Sequence, residues 1–186
     1  NIAVTEGITL KGSGVTDWDL LNEGIVSPGY SPGSQTVDTF TQTAEGILEI
    51  ELAGLIAGTQ YDQLNVNESA NFGGTLKISL LDGFKPNVGD TFDIITYGSA
   101  TGLFTNLTGL YGFQSDYYFE LVQTANKLQL ITREIVEGED FSFVSNDLGS
   151  KNDTLGMLLN AEYLTGAAPT SVTLSGAFDL GDAFSL

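Results

Sequence analysis

Gly46-Ile47-Leu48-Glu49-Ile50-Glu51-Leu52, Tyr61-Asp62-Gln63-Leu64-Asn65-Val66, Gly73-Gly74-Thr75-Leu76-Lys77-Ile78-Ser79-Leu80 and Gly89-Asp90-Thr91-Phe92-Asp93-Ile94 are the segments that decide the fold. In each, apolar residues alternate with polar ones. A period of two is the mark of a β-strand with one buried face. Ile95 follows Ile94 directly and makes the last strand apolar on both sides. Glycines fall between the segments, where the chain must reverse.

Leu48, Leu64, Leu76 and Phe92 follow one another at steps of 16, 12 and 16 residues. Such steps suit successive strands of a three-sided coil. They equally suit an antiparallel sandwich with somewhat long loops. Downstream, Tyr117, Phe119 and Leu121 form another alternating strand, and Leu128 with Leu130 reads as its partner. Upstream, Ser27-Pro28-Gly29-Tyr30-Ser31-Pro32-Gly33 reads as a double turn. Each proline fixes φ, and each following glycine accepts a positive φ.

The two ends are also strand-like. Ile2, Val4, Ile8 and Leu10 share one parity, as one strand or two short ones. Such an end covers the chain's own core or adds to a neighbour's sheet edge. Residues 133–140 are acidic and mark the expected boundary between a β-rich core, 1–140, and a C-terminal extension, 141–186. In the extension, Asn152-Asp153-Thr154 can cap a short helix carrying Leu155, Leu158, Leu159 and Tyr163. Val172, Leu174, Phe178, Leu180 and Phe184 then form an apolar, strand-like tail.

Composition narrows the chemistry. Twenty-four acids against six bases give the 186 residues a formal net charge of −18. Such a chain repels nucleic acid and anionic lipid, so neither is an expected partner. There is no cysteine and no histidine, which removes thiol and His-based catalysis together with Cys- and His-type metal sites. No apolar run approaches the length of a membrane span. The chain starts at Asn1 rather than Met, which fits a mature secreted protein.

The order and spacing of Ser27-Pro28-Gly29-Tyr30-Ser31-Pro32-Gly33, Thr41-Gln42-Thr43, Gly46 to Leu52, Tyr61 to Val66, Gly73-Gly74-Thr75-Leu76, Gly89-Asp90-Thr91-Phe92 and Gly102-Leu103-Phe104 resemble the passenger regions of bacterial autotransporters. Filamentous-haemagglutinin-like and cyanobacterial surface proteins share the pattern, which covers about residues 24–104. The resemblance implies a right-handed parallel β-helix from an extracellular structural or adhesive protein. It implies no catalytic residues. The chain departs from the pattern in having no translocator barrel and no long array of upstream coils, and the tail from Phe141 onward matches nothing in it.

Carboxylates are the only catalytic groups present in number. Glu49 and Glu51 share one face of a strand at roughly 7 Å, a separation compatible with glycoside hydrolysis but also ordinary for a solvated strand. Calcium suits oxygen-rich loops. Asp17 with Asp19, Asp82, Asn146-Asp147 and Asn152-Asp153 are the candidates, and none follows a known calcium-loop pattern. No cofactor is expected beyond such a calcium ion. Trp18 between two acids, Tyr111 and Tyr117 are candidates for stacking on sugar rings.

The expected fold is therefore all-β: a right-handed parallel β-helix or solenoid-like core with a C-terminal extension, or alternatively an antiparallel sandwich or jelly roll. The expected function is that of a secreted, non-enzymatic structural protein at the cell surface or outside the cell. It would associate with itself into a fibre, sheath or surface layer through Ile2, Val4, Ile8 and Leu10 or through Val172, Leu174, Phe178, Leu180 and Phe184. The alternative is an adhesive module binding surface polysaccharide. Polysaccharide cleavage ranks last.

Overall fold

The chain divides into two compact units, residues 1–135 and 136–186. The computed structural model describes residues 1–110 and 116–135. The expected helix around Leu155 and the apolar tail lie outside the described residues, as does Tyr111.

Among the described residues sixteen strands follow one another: β1 (Ile2–Val4), β2 (Thr9–Gly12), β3 (Gly14–Val15), β4 (Asp19–Asn22), β5 (Ile25–Pro28), β6 (Ser34–Val37), β7 (Thr39–Gln42), β8 (Ile47–Leu52), β9 (Gln63–Val66), β10 (Ser69–Phe72), β11 (Thr75–Leu80), β12 (Thr91–Thr96), β13 (Ser99–Gly102), β14 (Asn106–Thr108), β15 (Tyr117–Gln123) and β16 (Lys127–Glu134). There is no helix among the described residues.

The strands sort into three sheets by threes. The orders are β1-β4-β7-β10-β13, then β2-β5-β8-β11-β14, then β3-β6-β9-β12 continued by β16 and β15. Every pairing among β1 to β14 is parallel. The chain thus visits each sheet in turn and stacks like a solenoid. The antiparallel sandwich is overturned by these pairings. Among the described residues, antiparallel strand pairing occurs where the hairpin β15–β16, seen in the alternation of residues 117–130, adds to β12, and two isolated antiparallel bridges, Gly12 with Gly29 and Leu52 with Tyr61, sit at bends. Partners across one coil are 20 residues apart at Asp19 and Thr39, 28 at Glu49 and Lys77, and 31 at Asn65 and Thr96. The 16- and 12-residue steps from Leu48 through Leu64 to Leu76 are one such turn, because Leu48 and Leu76 are register partners.

Alternation puts Leu48, Ile50 and Leu52 inside, each fully buried, with Leu64, Leu76 and Phe92. Each such side chain contributes roughly 1.5–3 kcal/mol relative to exposure. Phe92 is the aromatic hub: Tyr61, Phe84 and Phe119 meet its ring edge-on at centroid distances of 5.4, 6.2 and 5.9 Å. The two-faced character of β12 also has a cause. Asp93 pairs with Gln129 and Ile95 with Leu128, so Ile94 is an extra residue, a β-bulge. The bulge lets Ile94 and Ile95 both reach the interior.

The double turn at 27–33 differs from expectation in its second half. Gly29 takes the positive φ, +89°, but at the second turn it is Ser31 (φ +116°), ahead of a cis Pro32, that does so. Gly33 is needed for space instead. A Cβ there would strike the Ser13 hydroxyl and the Gly29 backbone.

Candidate assembly surface

The inward rows run the length of the stack, and their burial changes only at the ends. In the first sheet Leu20, Phe40 and Ala70 stand in register, all at most 2% exposed. The ends of that row, Ile2 and Ala100, are only partly buried. In the second sheet Val26, Leu48 and Leu76 are at 0%, while the end residues Leu10 and Leu107 are partly buried. The same ends carry the edge strands: β1 and β13 bound the first sheet, β2 and β14 the second. Among the described residues each is hydrogen-bonded as a strand on one side only. An edge strand is a template for another strand.

Of the residues expected to self-associate, Ile2 and Leu10 lie on this open end, and Ile8 is 54% exposed beside it. Val4 does not belong with them. It is 2% exposed and packed into the chain's own core. Val172, Leu174, Phe178, Leu180 and Phe184 lie outside the described residues.

A second feature was not legible as a site. Asp62 is fully buried where β8 meets the 28–33 turn. Its carboxylate accepts the backbone N–H of Gly33 at 2.7 Å and of Glu51 at 2.9 Å. Burial pushes its pKa up to about 6, against the two N–H donors that favour the charged form; the Glu51 carboxylate raises it further and Lys11 lowers it. Lys11 Nζ lies 3.9 Å from Glu51 Oε1, while Glu51 Oε2 and Ser27 Oγ are buried without partners. The carboxylate ties two coils together. Each of its two oxygens accepts one backbone N–H.

Three of the acids weighed for catalysis and calcium have partners. Glu49 is paired with Lys77 at 2.9 Å, and Glu51 faces Lys11. Asp19 accepts the Thr39 hydroxyl at 2.8 Å. Asp82 sits in a turn with φ +51°. No group of three or more acids able to hold a metal occurs among the described residues, and Asn146-Asp147 and Asn152-Asp153 lie outside them. A polar groove of about 490 Å³ runs between Asn67, Asp93, Thr96, Tyr97 and Asn126. Its ions neutralise each other: Lys127 Nζ is 3.0 and 3.1 Å from the two oxygens of Asp93, which also accepts from Gln129.

The aromatic candidates are separated. Trp18, 51% exposed, immediately precedes β4. Tyr117 is on β15, partly buried with its ring edge-on to Phe119 at 5.8 Å. Among the described residues, no helix is long and apolar enough to cross a membrane. No protein-family model matches the chain, and no curated protein matches it.

Proposed function

We propose that this chain is a non-enzymatic, secreted structural protein. In this reading it is a right-handed parallel β-helix whose coils add end to end, with further copies, into an extracellular fibre, sheath or surface layer. Right-handedness follows from the general preference of parallel crossover connections. The observation that carries the reading is the opening of both inward rows at their ends. Ile2 and Leu10 at one end, and Ala100 and Leu107 at the other, are partly covered while the interior of each row is sealed. All strands of the first two sheets run parallel, so a head-to-tail neighbour extends both in the same sense. Main-chain hydrogen bonds would supply affinity and the row ends would supply register.

Sedimentation velocity and negative-stain microscopy test this on the parent, Ile2→Lys and Leu10→Lys. The parent is expected to form concentration-dependent oligomers or filaments, and the lysine variants to stay monomeric with unchanged circular dichroism. Lysine makes the net charge less negative, so lost assembly cannot be ascribed to added repulsion. A parent that is monomeric at every concentration, or variants that assemble as it does, overturns the reading.

A further inference from the structure

The outer faces of the three sheets differ in chemistry. The second carries ion pairs, Lys11 with Glu51 and Lys77 with Glu49, and the third carries the Asp93–Lys127 pair. The first carries two columns made mostly of small polar groups, the second of which ends in the apolar Leu21 and Ala3 on β4 and β1. Thr39 is in register with Asp19, Ser69 with Ser99, and Thr41, Asn71 and Thr101 follow one another in a single row. Their inward neighbours Phe40 and Ala70 are buried, so alternation turns the hydroxyls and the amide outward. Ser69, Asn71, Ser99 and Thr101 are exposed.

The groups are spaced about 4.8 Å from coil to coil and about 6.6 Å along each strand. Each both donates and accepts hydrogen bonds. Asp19 is the one charge on this face among the described residues, and it accepts from Thr39.

The border of this strip is defined by backbone bonds. Asp38 N donates to Trp18 O at 3.0 Å, Glu68 N to Asp38 O at 2.9 Å, and Ser99 N to Glu68 O at 3.0 Å. Trp18, Asp38 and Glu68 thus form a column along the strand starts. Half of the Trp18 surface is exposed there. A neutral, hydroxyl-bearing strip bordered by acids and one open indole selects against polyanions. It offers hydrogen bonds to a partner that is itself uncharged and both donates and accepts, and the indole offers an apolar face to a sugar ring.

We propose that the outer face of the first sheet, with Trp18 at its border, binds an extended neutral polysaccharide. The chain of sugars would run from coil to coil across Thr41, Asn71 and Thr101. The inference does not rest on end-to-end association, and Leu10→Lys should bind as the parent does.

Co-sedimentation of the purified chain with insoluble β-1,4-glucan, β-1,3-glucan and chitin tests it, with binding to soluble polygalacturonate measured by affinity electrophoresis as the anionic comparison. Retention is expected on at least one neutral polymer and not on polygalacturonate. Asn71→Glu and Trp18→Ala should each weaken retention about tenfold with circular dichroism unchanged. Should Asn71→Glu misfold, Ser99→Glu on the edge strand places the same charge on the face. No retention on any neutral polymer, equal binding to polygalacturonate, or retention unmoved by the folded glutamate variant overturns the proposal.

Discussion

Asn22 and Gln42 stand inside the fold one coil apart, and Asn22 Nδ2 donates to Gln42 Oε1 at 2.9 Å. The pair fills positions on β4 and β7 that would otherwise be apolar. Val4, the register partner of Asn22 on β1, is such an apolar residue. Asn22 Nδ2 also reaches the Ile47 carbonyl, and its Oδ1 accepts from Gly24 N. Gln42 Nε2 is shared among the carbonyls of Gly46, Gly73 and Thr75 at 3.1, 2.8 and 3.0 Å. Two side chains therefore bind the bends of three successive coils.

Replacing Gln42 should be costly because its partners stay buried. Gln42→Ala leaves the Asn22 amide with only the Ile47 carbonyl as acceptor and three carbonyls with one donor fewer. Each unmet buried group costs about 1–3 kcal/mol. The expected loss is about 2–4 kcal/mol in urea unfolding. A loss below about 1 kcal/mol would show that water or relaxation replaces the ladder.

Asp62 gives the fold a pH dependence of definite sign. Its pKa is about 6 in the native chain against 3.8 as the ordinary value. The native state therefore binds more protons than the unfolded state between those values. The stabilisation is fully present below about pH 4 and is lost as pH rises through about 6. The amount is of order 2–3 kcal/mol. The other acids add their own slope, so the comparison is with Asp62→Asn, which cannot ionise. Urea midpoints measured from pH 4 to 7 should fall more steeply for the parent than for the variant. Parallel curves would mean that Asp62 is charged throughout.

The net charge of −18 sets the conditions for association. Copies meeting end to end repel one another over a screening length of about 10 Å at 0.1 M salt. Strand pairing and apolar contact are little affected by salt. Oligomers seen by sedimentation velocity should therefore increase as sodium chloride is raised from about 0.02 to about 0.5 M. Dissociation on adding salt would point instead to contacts made by charge pairs.

The sheets were unequally legible in the sequence. The second and third announce themselves because large apolar residues alternate with polar ones, as in Leu48, Ile50 and Leu52 or Leu64 and Val66. The first sheet was nearly silent. Thr39–Gln42, Ser69–Phe72 and Ser99–Gly102 place Phe40, Ala70 and Ala100 inside, and alanine among serine and threonine carries little periodic signal. Asn22 and Gln42 were silent for a related reason: a polar residue at an inward position reads as a turn until its partners on other coils are known. Asp62 carried no mark of its own within the segment Tyr61 to Val66, although its place just after Tyr61 and before an alternating strand put it at a coil corner. The only sequence mark of the bulge was the broken alternation at Ile95.

That bulge yields the sharpest test of register. In a regular strand Ile94 and Ile95 would face opposite sides, and only one would be buried. Here both are at 0% exposure because the ladder skips from Asp93 to Ile95 opposite Gln129 and Leu128. Ile94→Ala and Ile95→Ala should each cost about 2–5 kcal/mol, the range for emptying a buried isoleucine site. Ile47→Ala, on the outward side of β8 and only partly covered, should cost about 1 kcal/mol or less. Chemical denaturation of the three variants decides the matter. If Ile95→Ala behaves like Ile47→Ala, β12 runs without a bulge and its pairing with β16 is shifted by one residue.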